Sequence, residues 1–219
     1  MQETSFNIFQ FNINEPMTVL TNLVMSIYCF YFYSKLGSNH KLGYYWRLFF
    51  LYMAISTLVG ALTHGLKNHF SSNEFYYIWL FMNLASIPAS YFLLQANIQL
   101  SKWDEVTKKK LSIASAIVTL LLAIMVISVN QFLLIKVNAG LIILITLITH
   151  FQTYKKGIKG SGWIVFGFAF SSLSILVHTM QFSLHTYFNY KDISHVIMNI
   201  GLYIIFLGAI LKSQPKLEA

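Results

Sequence analysis

Seven stretches of nearly continuous apolar sequence run through this chain, over approximately 17–34, 46–66, 75–98, 111–129, 132–150, 162–184 and 193–211. Each is long enough to cross ~30 Å of hydrocarbon as a helix, which takes about 20 residues. Backbone in lipid must satisfy its own hydrogen bonds, so only helices and closed barrels can span. A barrel would alternate apolar and polar residues along each strand, and these runs do not alternate. Only 10% of the 219 residues are charged, against about 25% in an ordinary soluble domain. That is too little charge to cover a water-facing surface, and the apolar content excludes disorder. The sequence predicts an all-α polytopic membrane protein, a single seven-helix transmembrane bundle occupying 1–219, with no room for a soluble domain of ordinary size.

The basic residues orient this bundle. Lys35, Lys41 and Arg47 follow span one, and Lys102, Lys108, Lys109 and Lys110 precede span four. Lys155, Lys156 and Lys159 separate spans five and six, and Lys212 and Lys216 follow span seven. These are 12 of the 15 basic residues, all on alternate connections; only Lys67, Lys136 and Lys191 fall on the others. The positive-inside rule then places the N-terminus outside and the C-terminus in the cytoplasm, in the plasma (inner) membrane if the source is bacterial. The N-terminal arm carries Glu3 and Glu15 but no basic residue, unlike a cleavable signal peptide. The net charge of +8 is explained by attraction to anionic lipid at the cytoplasmic surface, not by nucleic-acid binding. Cys29, the one cysteine, reads as a packing residue. Tyr31, Phe32, Tyr33, Tyr44, Tyr45 and Trp46 read as an interfacial aromatic belt on the cytoplasmic side. Pro88 predicts a kink in span three.

Ionisable residues at membrane depth mark function by default. His40, His69 and His150 fall in loops or at a span end. The other four histidines converge on the outer level: His64 ends span two, His178 and His185 lie late in span six, and His195 lies one turn into span seven. Glu74 and Asp192 sit at the same level, at the starts of spans three and seven. Asp192, His195 and Asn199 are spaced i, i+3 and i+7, on one helix face. Ser56, Gly60 and His64 repeat every four residues, and the small-xxx-small pair lets a second helix approach. Imidazole and carboxylate groups in this number suit a zinc ion, with His64, His178 and His195 as ligands, His185 and Asn199 as additional positions, and Glu74 or Asp192 as base.

Seven spans with an outer N-terminus and histidines at the ends of spans two and seven resemble the superfamily of alkaline ceramidases and progestin/adiponectin receptors. His64 matches that superfamily's span-two zinc ligand. The stretch Asp192-Ile-Ser-His195-Val-Ile-Met-Asn199-Ile-Gly201-Leu-Tyr203 is similar to its span-seven segment, with His195 at the first ligand position. Asn199 stands where the second histidine falls, Gly60 where a serine falls, and Glu74 is nearest to the span-three aspartate. The resemblance implies hydrolysis of a lipid amide such as ceramide.

Three functions follow. The first is a zinc-dependent membrane hydrolase of a lipid amide or ester, in which zinc lowers the pKa of bound water to about 7. The second is a non-enzymatic seven-helix sensor or receptor-like protein whose histidine cluster binds a small ligand or a metal, or titrates near neutral pH; Asn199 and Gly60 favour it. The third is a small transporter, disfavoured by the dry inner halves of the spans and by the lack of an internal repeat. Membrane lipids are the expected partners throughout.

Overall fold

The computed structural model describes residues 4–8 and 11–213; Glu3 and Lys216 lie outside them. Seven helices carry the architecture: α1 (Pro16–Lys35), α2 (Lys41–Gly65), α3 (Ser72–Leu100), α4 (Glu105–Val129), α5 (Phe132–Lys155), α6 (Ser161–Met180) and α7 (Tyr190–Ser213). All seven are long and apolar enough to cross a membrane. Before α1, β1 (Ser5–Ile8) and β2 (Phe11–Asn14) pair as an antiparallel hairpin, which hydropathy alone does not reveal.

Helix boundaries follow local capping chemistry. The Nδ1 of His40 accepts from the Gly43 amide and starts α2 several residues before its apolar run. Asp104 does the same for α4, accepting from the Thr107 amide at 2.9 Å. A helix N-terminus leaves amides unpaired, and short polar side chains supply the acceptors. Asn130 in the left-handed conformation ends α4, so the turn before α5 is Asn130–Gln131 alone. Lys136 and Asn138 are helical. Gln181, also left-handed, ends α6 four residues early. His185 therefore sits in a loop, bridged to Phe188, rather than at the end of span six. Helix α3 continues through Pro88.

Short connections make successive helices antiparallel. The starts of α1, α3, α5 and α7 thus share one end of the bundle with the hairpin. The opposite, lysine-rich end carries Lys35, Lys41, Arg47, Lys102, Lys108 to Lys110, Lys155, Lys156, Lys159 and Lys212. Helices α1, α2, α3, α5, α6 and α7 form a ring closed by the α1–α7 contact, and α4 packs on the outside of α3. Gln95 fixes that outer helix by bonding Ser112 and Ser115.

The main apolar core joins Phe32, Trp46, Phe49, Phe50, Phe168 and Phe206 toward the lysine-rich half. Phe32 stacks on Phe206 at 4.2 Å. This corrects the aromatic-belt assignment for Phe32 and Trp46: both are buried, whereas Tyr31 and Tyr44 are exposed as a belt requires. Helices α6 and α7 approach backbone to backbone. A Cβ on Gly208 would lie 2.6 Å from the Gly160 carbonyl oxygen, and one on Gly201 would lie 3.0 Å from that of Gly167.

Candidate functional site

The site is built from the hairpin inward. Asn68 donates to Asn14 at 2.8 Å, and His69 contacts the Asn12 carbonyl at 2.8 Å, pinning β2 to the α2–α3 connection. This delivers Glu15, whose backbone is left-handed (φ 45°), a costly conformation for a residue with a Cβ. Its amide donates to the Thr4 carbonyl. Its carboxylate is clasped on both oxygens: the Nδ1–H of His64 donates to Oε2 at 2.5 Å, and the Lys191 ammonium donates to Oε1. Burial alone would raise the Glu15 pKa, but the bonds from His64 and Lys191 outweigh it and hold the carboxyl at about 2, below its ordinary 4.5.

This clasp forms one wall of a cavity of about 610 Å³ between the hairpin end of α2, the start of α3, the α4–α5 turn and the start of α7. Phe75, Tyr76 and Trp79 give it an apolar side; Asn130 and Gln131 give polar groups. Asn130 is itself held by Asn83 and by the Tyr76 carbonyl.

Behind the clasp, α1 and α7 are joined by a polar ladder. Thr18 donates to Asp192 at 2.6 Å, and the other Asp192 oxygen accepts the Asn189 amide at the start of α7. Thr21 meets the Nδ1 of His195 at 3.1 Å, with Asn22 at 3.4 Å. Asn199 donates to the carbonyls of Thr21 and His195. The predicted face of Asp192, His195 and Asn199 is therefore real, and it points at α1. Gly60 faces Asn22, and a Cβ there would make only an ordinary contact with the Asn22 Oδ1 at 3.5 Å. A second groove, about 590 Å³, runs along the outside of the ladder, with Thr21 and Asn199 at its base between Leu20, Tyr28, Ile200 and Tyr203.

The predicted residues thus separate. His64 bonds Glu15 while His195 faces Thr21 and Asn22, so these predicted ligands keep different partners. His178 packs edge-on against Tyr190. Asp192 is buried and spends both oxygens on helix contacts. Glu74 is exposed and completes a capping box with Ser71, so it does not reach the cavity wall. His185 is exposed and binds the Tyr187 amide in its own loop. Among the described residues no group of three or more His, Cys, Asp or Glu side chains is placed to hold a metal ion. The second ladder ligand position is Asn199, and the Nδ1 atoms of His64 and His195 already have partners.

Sequence reasoning missed Lys191 and the α1 side of the ladder, and left Glu15 as a mere arm charge. A signal existed: Thr18, Thr21 and Asn22 follow Glu15 at i+3, i+6 and i+7, along one helix face. A seven-helix bundle with a charged clasp on the wall of a cavity at one end and an apolar core toward the other is the class these observations define. The chain belongs to the family of unknown function DUF6962, whose model matches residues 17–214. No curated protein and no solved structure matches it.

Proposed function

We propose that this chain is a multi-pass membrane protein of receptor or sensor type, with its hairpin end outside and its lysine-rich end in the cytoplasm, and that it binds a small ligand in the cavity beside Glu15. The observation that carries the reading is the Glu15 carboxylate held between His64 and Lys191 on the cavity wall. A left-handed glutamate is strained, and strain of this kind collects at binding sites. The cavity offers a charged clasp on one wall and three aromatic rings on another, which suits a small amphiphile. Cavities of a few hundred Å³ with a few convergent polar groups are the usual form of ligand sites. The orientation rests on the partition of basic residues.

A second reading is the zinc-dependent lipid hydrolase, supported by the placement of His64, His178 and His195 toward the hairpin end of α2, α6 and α7. It requires His64 and His195 to exchange their present partners for the metal, and a base other than Glu74. Purified protein decides between the two. The receptor reading expects amphiphile binding that quenches Trp79 fluorescence, is lost in Trp79→Phe, and is weakened in Glu15→Gln. Zinc near one per chain, with chelator-sensitive release of fatty acid from ceramide or a related lipid, would overturn it in favour of the hydrolase.

A further inference from the structure

The lysine-rich end holds a second polar cluster with no part in the cavity. His150 of α5 is fully buried and, among the described residues, neither ring nitrogen has a hydrogen-bond partner. Its ring lies edge-on to Trp46 of α2 at 5.9 Å, and the Trp46 indole N–H is buried and unpartnered as well. The Lys212 ammonium of α7 is also buried with no hydrogen-bond partner among the described residues, and it lies near enough for its charge to act on His150. An indole and an ammonium can only donate, and a buried ammonium without a counter-ion is costly.

The neighbouring helix end supplies more donors. Helix α6 starts at Ser161 with Gly160 as its cap and no side-chain cap bond. The Ser161 hydroxyl is turned inward to Thr153. The first-turn amides of an α-helix have no acceptor within the helix and favour anions. Gly160 touches Gly208, and Lys212 stands one turn beyond Gly208 on the same face of α7, which places Lys212 over that helix start. Lys155, Lys156 and Lys159 lead up to it along the chain. The carboxylates described at this end, Asp104 and Glu105, are exposed and engaged with Thr107 and Lys108.

We infer that this cluster is a phosphate-binding site, with Lys212 as its principal ligand and His150 and the Trp46 indole as backing donors. The ligand chemistry is a phosphate anion, borne by an anionic phospholipid headgroup or free in solution. Basic pockets between spans at the cytoplasmic surface take headgroups in this way. The inference does not depend on the ligand cavity at the other end.

Delipidated protein in neutral detergent tests it through its melting temperature at matched ionic strength. Phosphatidylglycerol or inorganic phosphate should raise the melting temperature, whereas phosphatidylcholine and chloride should not. Stabilisation by inorganic phosphate alone assigns the site to the free anion, and stabilisation by phosphatidylglycerol alone assigns it to the headgroup. Lys212→Met should weaken the effective probe by about fivefold or more, as for loss of one basic contact, while Lys212→Arg and Lys156→Met keep it. A photoreactive phosphatidylglycerol should label the wild-type peptide around Lys212, a result that does not rely on any variant folding. No stabilisation of wild type by either probe, full retention in Lys212→Met, or labelling confined to the 155–159 loop would overturn the site.

Discussion

The two sides of α7 are held by opposite means. Toward α6, Gly201 and Gly208 bring backbone onto backbone, and a single side-chain hydrogen bond, Ser194 to the Ser174 carbonyl at 3.2 Å, adds to that packing. Toward α1, Asp192, His195 and Asn199 reach Thr18, Thr21 and Asn22 through hydrogen bonds. Lipid is as apolar as leucine, so helices in a bilayer associate through close packing or through polar contacts. This helix uses each on a different face. The glycine side has no space to move. The ladder side borders a cavity and a groove, carries His195, and leaves the Asn199 Oδ1 buried without a partner. Rigidity on one side and exchangeable hydrogen bonds on the other suit a helix that must stay in place while its end responds to a ligand.

The sharpest way to break this contrast is to add volume on the glycine side. Gly208→Leu should cost at least about 3 kcal/mol, because the blocking atoms are backbone and cannot turn away. Loss of the monodisperse peak in size-exclusion chromatography would register it. On the ladder side, Asp192→Ala should cost about 2 kcal/mol by stranding Thr18 and the Asn189 amide. The protein should still fold, with a lower melting temperature.

Glu15→Gln comes next, at about 1–2 kcal/mol, since His64 and Lys191 keep some access to water when the carboxylate is removed. Its folded pKa lies below its ordinary value, so the stability it contributes is present above pH 4.5 and is lost as the pH falls toward 2. Wild type should therefore lose stability across that interval more steeply than Glu15→Gln. Equal pH profiles for the two proteins would mean that the clasp is not formed. Glu74→Gln should give the smallest change, a weakened cap on an exposed helix start, with amphiphile binding intact.

The bundle was legible in the sequence because apolar runs and lysine spacing are local signals. So was the α7 half of the ladder, through the spacing of Asp192, His195 and Asn199. What helix periodicity cannot show is the partner of each face. Thr18, Thr21 and Asn22 look like ordinary span residues until α1 is placed against α7. Glu15 lies 49 and 176 residues along the chain from His64 and Lys191, and only the hairpin, folding it back over α2 and α7, brings it to them. His150 reads as an interfacial histidine until Trp46 and Lys212 close over it. Glu74 misleads in the other direction: its depth matches a site, but a serine three residues earlier makes it a capping residue.

The central claim is an outward-facing, water-accessible cavity at the hairpin end, and cysteine labelling in intact cells tests it directly. The native Cys29 is buried, so wild type should give little background. Ser72→Cys and Gln131→Cys, both at the cavity, should react with a membrane-impermeant maleimide in intact cells. Lys156→Cys should react only after permeabilisation. Labelling of Lys156→Cys in intact cells with Ser72→Cys and Gln131→Cys silent until the membrane is opened would contradict the account.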